Sequence, residues 1–132
     1  MIIKNGNVFL DNKFKKTDLH IKDSKIIEIT TISKKFSQED IFDAEGMYVV
    51  PGFIDCHVHF RDFEESYKED WESGSKAAAS TGITTVLDMP NNKPPVLNIE
   101  MLEKKKKEAS KKSIVNFGLY IGVTDKNIDE IN

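Results

Sequence analysis

A lone cysteine, Cys56, has no partner for an internal disulfide, so the fold must rest on its core, which fits a reducing compartment. Long apolar runs are missing too. None approaches the roughly 20 residues needed to span a bilayer, and the opening Met-Ile-Ile-Lys-Asn-Gly lacks the order of a secretory signal. There is no excess of one charge: 19 Lys and Arg against 22 Asp and Glu leave a net charge of −3. That balance gives no electrostatic case for nucleic acid. The expected setting is the cytoplasm, with neither membrane nor nucleic acid as partner. Internal repeats and low-complexity stretches are also absent. At 132 residues, 39% hydrophobic and 31% charged, the composition is that of a globular protein with one modest core. A complete (β/α)8 barrel takes about 250 residues. Histidines number three, and two of them stand two positions apart.

The first 30 residues read as short antiparallel strands. Ile2-Ile3-Lys4 and Val8-Phe9-Leu10 flank Asn5-Gly6-Asn7, and Asn-Gly is a hairpin signal because both residues tolerate positive φ. Asp18 to Lys22 alternates with period two, Asp23-Ser24 supplies a turn, and Lys25 to Ile29 returns. Residues 31–40 read as a polar connector, Asp43-Ala44-Glu45-Gly46 as a turn, and Met47 to Val50 as an extended run. Past residue 50 the pattern changes to strands separated by helical stretches, as in βα units on a parallel sheet. The expected division is therefore 1–50 and 51–132.

In the second part, Ser66 and Glu69 are spaced to form a capping box that opens a helix, and Gly82 is placed to end it. Ile83 to Met89 is rich in β-branched residues and reads as a strand. Pro90-Asn91-Asn92-Lys93-Pro94-Pro95 must be a loop. Asn98 can cap a second helix running to about Lys112, whose Lys104 to Lys107 run reads as a solvated outer face. Ile114 to Gly122 reads as a third strand. The final residues, 128–132, read as the start of another helix, so the chain is expected to be a fragment, and an unstable one by itself because its strands leave open edges.

The chemistry concentrates in residues 51–61, Pro-Gly-Phe-Ile-Asp-Cys-His-Val-His-Phe-Arg. On an extended strand, alternation puts Asp55, His57, His59 and Arg61 on one face and Ile54, Cys56, Val58 and Phe60 on the other. Neutral imidazoles at alternate positions can approach one ion, although a catalytic zinc takes three protein ligands. His-X-His alone is almost as compatible with a hydrogen-bonded structural pair. Asp55 could orient a ligand or bond to backbone. Arg61 presents a rigid fork suited to a carboxylate, or else pairs at the surface with Asp62, Glu64 or Glu65. Asn91 could hold a substrate group or shape its turn. Cys56, facing away from the histidines, reads as a small buried hydrophobe. In a parallel barrel, function collects at the carboxyl ends of the strands, where His57, His59, Arg61 and Asn91 all fall.

Together with Tyr67-Lys68-Glu69-Asp70, Ser73 to Ala79, Gly82-Ile83-Thr84-Thr85-Val86 and Asp88-Met89-Pro90-Asn91, this stretch resembles the dihydroorotases of the amidohydrolase superfamily. Allantoinases and dihydropyrimidinases share the His-X-His strand, and Arg61 with Met-Pro-Asn points to dihydroorotase among them. The resemblance implies an α/β fold: the first units of a (β/α)8 TIM-like barrel, incomplete here, preceded by strands of a small β-sandwich. It implies a zinc enzyme, with one or two ions, that interconverts L-dihydroorotate and N-carbamoyl-L-aspartate in pyrimidine biosynthesis. His57 and His59 would bind zinc, and Arg61 and Asn91 would hold the small-molecule substrate. Water activated by the metal would attack the ring amide carbonyl. The whole protein is expected to be a homo-oligomer. Where the family often has Glu-Pro-Gly after the arginine, this chain has Asp62-Phe63-Glu64. The acid/base residue and the remaining ligands are expected from later strands, so no catalytic residue is assigned here and the piece alone should be inactive. The alternatives are a non-catalytic scaffold of the same fold, or a related enzyme acting on another cyclic amide.

Overall fold

The computed structural model describes residues 1–31 and 40–128. The expected connector, but for its ends, and most of the expected last helix lie outside the described residues. The chain divides into two compact units, Met1–Pro51 and Gly52–Asn132.

The first unit is a five-stranded sheet. β1 (Ile2–Leu10), β2 (Lys13–Lys22) and β3 (Lys25–Thr30) form an antiparallel meander. β4 (Ile41–Asp43) and β5 (Tyr48–Val49) run parallel to β1 along its other edge. The hairpin expected at Asn5-Gly6-Asn7 is displaced: β1 runs straight through, and the chain turns at Asp11 and Asn12, with φ of 50° and 60°. Asn5 does reach φ 61°, but in a bulge, where the register shifts between Ile3 and Gly6. Its N–H donates to Asp18 Oδ1 at 2.8 Å. A Cβ on Gly6 would lie 2.7 Å from Val49 Cγ2, so glycine here serves the close approach of β5 rather than a turn. The Asp23-Ser24 turn forms as expected, at φ 49° and 59°. Ile2, Val8, Leu19 and Ala44 make this unit's buried core.

The second unit is mixed α/β. Its parallel sheet has the order β6 (Phe53–Val58), β7 (Ile83–Asp88), β8 (Asn116–Leu119), joined through α1 (Trp71–Ser80) and α2 (Ile99–Lys112). Phe60, Trp71, Ala78, Val86 and Ala109 form its core, with Val58 and Phe117 packed against them. The cap at Ser66 and Glu69 does not form. A short 3-10 turn at Phe63–Glu65 takes up that segment, and α1 starts four residues later than Ser66 suggests. Asp70 accepts from the Ser73 N–H at 2.8 Å, and Ser73 Oγ accepts from the Asp70 N–H at 3.2 Å. The same reciprocal motif is built from the next suitable pair. Gly82 leaves α1 at φ 84°, and Asn98 caps α2 by accepting from Met101 N–H. Among the described residues, no helix is long and apolar enough to cross a membrane.

Candidate functional site

Strict alternation along β6 breaks down. The register with β7 shifts between Asp55 and Val58, which puts Asp55 in a cleft beside Val58, Phe60 and Ala78 rather than in the histidine row. Its carboxylate accepts from the His57 N–H at 3.1 Å, the backbone role of its two readings. Cys56 is exposed, correcting its reading as a buried hydrophobe. In the same strand Phe53 and Ile54 are also exposed, while Val58 packs against the core.

His57 and His59 stay together. Their ring centroids are 5.1 Å apart, with planes inclined at 69°. Two imidazoles that each place a nitrogen about 2.0–2.1 Å from one ion, at a tetrahedral angle, have centroids about 5 Å apart, so the spacing fits a shared metal. His59 is also oriented: its Nδ1 lies 2.8 Å from Asn91 Oδ1. An amide oxygen only accepts, so Nδ1 donates this bond, and in the neutral ring Nε2 is then the nitrogen with a lone pair for a metal. Asn91 thus meets a histidine here, a contact that neither reading of that residue foresaw. Among the described residues, no cluster of three or more metal-ligating side chains forms. Two imidazoles are a partial donor set.

Arg61 is two-thirds buried, and its Nη1 lies 4.0 Å from Glu65 Oε2. That is an ion contact beyond hydrogen-bonding reach. Glu65 is itself buried, and its other oxygen takes a hydrogen bond from Lys68, which holds its carboxyl below the usual range. The surface-pair reading of Arg61 is therefore met in part, with a covered partner. The chain after Arg61 turns sharply through Asp62 and Phe63, at φ 43° and 49°, a conformation that non-glycine residues rarely adopt. Lys112, from the last turn of α2, holds Asp62 at 2.9 Å, and this bond raises the lysine's pKa.

Beneath these groups lies a cluster that the sequence reading missed. Val86 and Asp88 share a face of β7, and both are fully buried. Lys105, read as part of a solvated run, is also fully buried, with Nζ 2.6 Å from Asp88 Oδ2. Nζ donates to Met89 O and Asn92 Oδ1, each at 2.7 Å. Burial pushes the aspartate's pKa up and the lysine's down, and each is opposed by the other's charge. A signal was present: Leu102, Lys105, Ala109 and Lys112 fall three, four and three apart, one face of a helix. The lysine sits on the stripe that packs inward.

The family model for the amidohydrolase family matches residues 48–130. The chain belongs to the amidohydrolase family. It is 42% identical over 129 residues to a dihydroorotase of Methanosarcina acetivorans, covering 98% of this chain and 27% of that protein. A Lactobacillus johnsonii dihydroorotase is also 42% identical, over 130 residues, with 98% and 30% covered. Among solved structures, an L-hydantoinase (dihydropyrimidinase) from Arthrobacter aurescens superposes with a TM-score of 0.93 at 33% identity, over 98% of this chain and 29% of that one. This amidohydrolase chain thus spans less than a third of the length of these relatives, and its mixed α/β fold matches that of the L-hydantoinase over nearly all of its own length.

Proposed function

We propose that this chain forms part of a zinc-dependent dihydroorotase, converting L-dihydroorotate and water to N-carbamoyl-L-aspartate and back in pyrimidine biosynthesis. In this reading Met1–Pro51 contributes strands to a β-sandwich, and the second unit supplies the first strands of a (β/α)8 barrel. The enzyme would be a cytoplasmic homo-oligomer. The observation that carries the proposal is the bond from His59 Nδ1 to Asn91 Oδ1, beside the His57 ring. It leaves Nε2 of His59 as the ring nitrogen open to a metal, at the end of a parallel strand.

His57 and His59 would hold zinc, with further ligands from residues beyond these. Held there, zinc would supply acidification of a water and polarisation of an amide carbonyl. Arg61 would bind the substrate carboxylate. Its contact with Glu65 is too long to use the fork's directed bonds, so a carboxylate at hydrogen-bonding distance can take them. Asn91, besides orienting His59, would face the same substrate through its amide. Glu65, kept ionised by Lys68, steadies the arginine between turnovers.

A second reading is favoured by the fold match to an L-hydantoinase (dihydropyrimidinase): a ring amide without an acidic carboxylate. The two separate at Arg61. In the intact protein loaded with zinc, dihydroorotate should be hydrolysed in preference to dihydrouracil or hydantoin, and Arg61→Met should raise KM for dihydroorotate by about 10- to 100-fold, the worth of a charge-assisted bond. Preference for the uncharged rings, with KM indifferent to Arg61→Met, would favour the second reading. A purified intact protein that binds no zinc and turns over none of them would leave the scaffold reading.

A further inference from the structure

We infer that Lys105, acting through Asp88 and Asn92, is the positioning residue that locks the strand end carrying His59 and Arg61 to the loop carrying Asn91. The inference rests on the reading of those three as site residues, and it concerns a residue outside the site itself.

The contacts of the cluster run to the backbone of the two segments that matter. Asp88 Oδ1 accepts from the Phe60 N–H at 2.8 Å, and Phe60 stands between His59 and Arg61. Asn92 Nδ2 donates to Arg61 O at 2.5 Å and to Phe60 O at 3.4 Å. Asn92 in turn is fixed by Lys105 through its Oδ1 at 2.7 Å. The same ammonium holds Met89 O at 2.7 Å, and the Met89 N–H donates back to Val58 O at 2.9 Å. Asp88 Oδ2 has no directional hydrogen-bond partner, so the ammonium 2.6 Å away is what neutralises it. One cation therefore organises both side chains of the clamp, Asp88 and Asn92, and His59, Arg61 and Asn91 each lie within one residue of a clamped atom.

A core in need only of filling does not require this arrangement. Buried ion pairs are often replaceable by apolar residues without loss of stability. Here the polar atoms fix where two chain segments sit relative to each other. A displacement of about 1 Å at a site can cost on the order of 100-fold in rate.

The test uses the intact protein with Lys105→Met, Asn92→Asp and, as a surface control on the same helix, Lys106→Met. Lys106 pairs with Glu103 at 3.4 Å, and both are well exposed. Amide hydrogen exchange over residues 57–62 and steady-state kinetics on dihydroorotate are measured below each variant's melting temperature. Lys105→Met and Asn92→Asp should each speed exchange over 57–62 by at least about tenfold more than exchange over 71–80. KM should rise by about tenfold or more in both, and Lys106→Met should leave both readouts unchanged. If Lys105→Met does not fold, Asn92→Asp decides, because it keeps an acceptor for the ammonium while it replaces the donated bonds with a carboxylate oxygen facing the Phe60 and Arg61 carbonyls. Variants that merely melt earlier, with wild-type exchange over 57–62 and wild-type KM, would overturn the inference; so would faster exchange with an unchanged KM. If the wild-type protein hydrolyses no cyclic amide, the functional reading fails by itself, and the exchange comparison still decides whether the clamp exists.

Discussion

The two units handle polar groups in opposite ways. Among the described residues of Met1–Pro51, Lys16 meets Glu45 at 2.6 Å with both side chains about 60% exposed, and Ile2, Gly6, Val8, Thr17, Leu19 and Ala44 are buried. Thr17 satisfies its hydroxyl by donating to Thr30 O. In Gly52–Asn132 a carboxylate and an ammonium are fully buried together. Both units contain a sheet, and the second adds two helices, one of which supplies the buried ammonium. The second unit must hold chain ends and loops, which carry no ladder of their own, in fixed places, and only directed polar bonds do that. The first unit fixes its strands by the ladders themselves.

The largest effect should come from breaking the buried pair. Asp88→Ala strands the Lys105 ammonium in the core and should destabilise the second unit by about 3–5 kcal/mol, read as the opening free energy of its amides by native-state hydrogen exchange. A loss below about 1 kcal/mol would mean that the pair is no more than a surface contact in disguise.

Next come two glycine substitutions that fail for different reasons. A Cβ at Gly74 would lie 2.6 Å from Phe60 Cδ1, so Gly74→Ala drives α1 off the core and should cost about 1–3 kcal/mol. At Gly46 nothing lies within 4 Å but φ is +77°, so Gly46→Ala should cost only the backbone term, about 1 kcal/mol. Equal losses in urea unfolding of the two variants would blur the contrast between a packed unit and a turn-built one.

Asp70 tests the capping of α1. The bonds from Ser73 hold its carboxyl below the ordinary value of 3.8. The folded pKa is thus depressed, so the charge's contribution is complete above 3.8 and is lost as pH falls through the folded value. Asp70→Asn keeps an accepting oxygen and removes the charge. Its stability deficit should be visible at pH 7 and should shrink toward zero in strong acid, and a deficit independent of pH would remove the charge from the account. Smallest of all, Lys16→Ala in the first unit should change stability by less than about 0.5 kcal/mol, measured by the same unfolding curves.

Much of the fold was legible because local signals agreed with each other. Asp23-Ser24, Gly82 and Asn98 each sit where a turn, a helix exit and a cap occur, since the conformations they allow are set by the residues themselves. Asn5-Gly6 misled for a physical reason: the same tolerance of positive φ serves a bulge as well as a hairpin, and the close approach of Val49 is a tertiary fact. Ser66 and Glu69 had the right chemistry for a cap, but the strained turn after Arg61 took up that segment. Asp55 and Cys56 were misplaced because period-two alternation holds only while the register does. In the site, His57 and His59 were legible as a pair, whereas the contact of Asn91 with His59 spans 32 positions, beyond any local rule.

The sequence alone settled the kinds of groups at hand: two imidazoles and a guanidinium on a single strand end, a helix capped by Asn98, and one cysteine with no partner for an internal disulfide. Tertiary structure decided which of those groups face one another and which lysine in the Lys104 to Lys107 run is buried. The reason is that burial and register are properties of neighbours distant along the chain. A side chain's own chemistry fixes what it can bond, and only packing fixes what it meets.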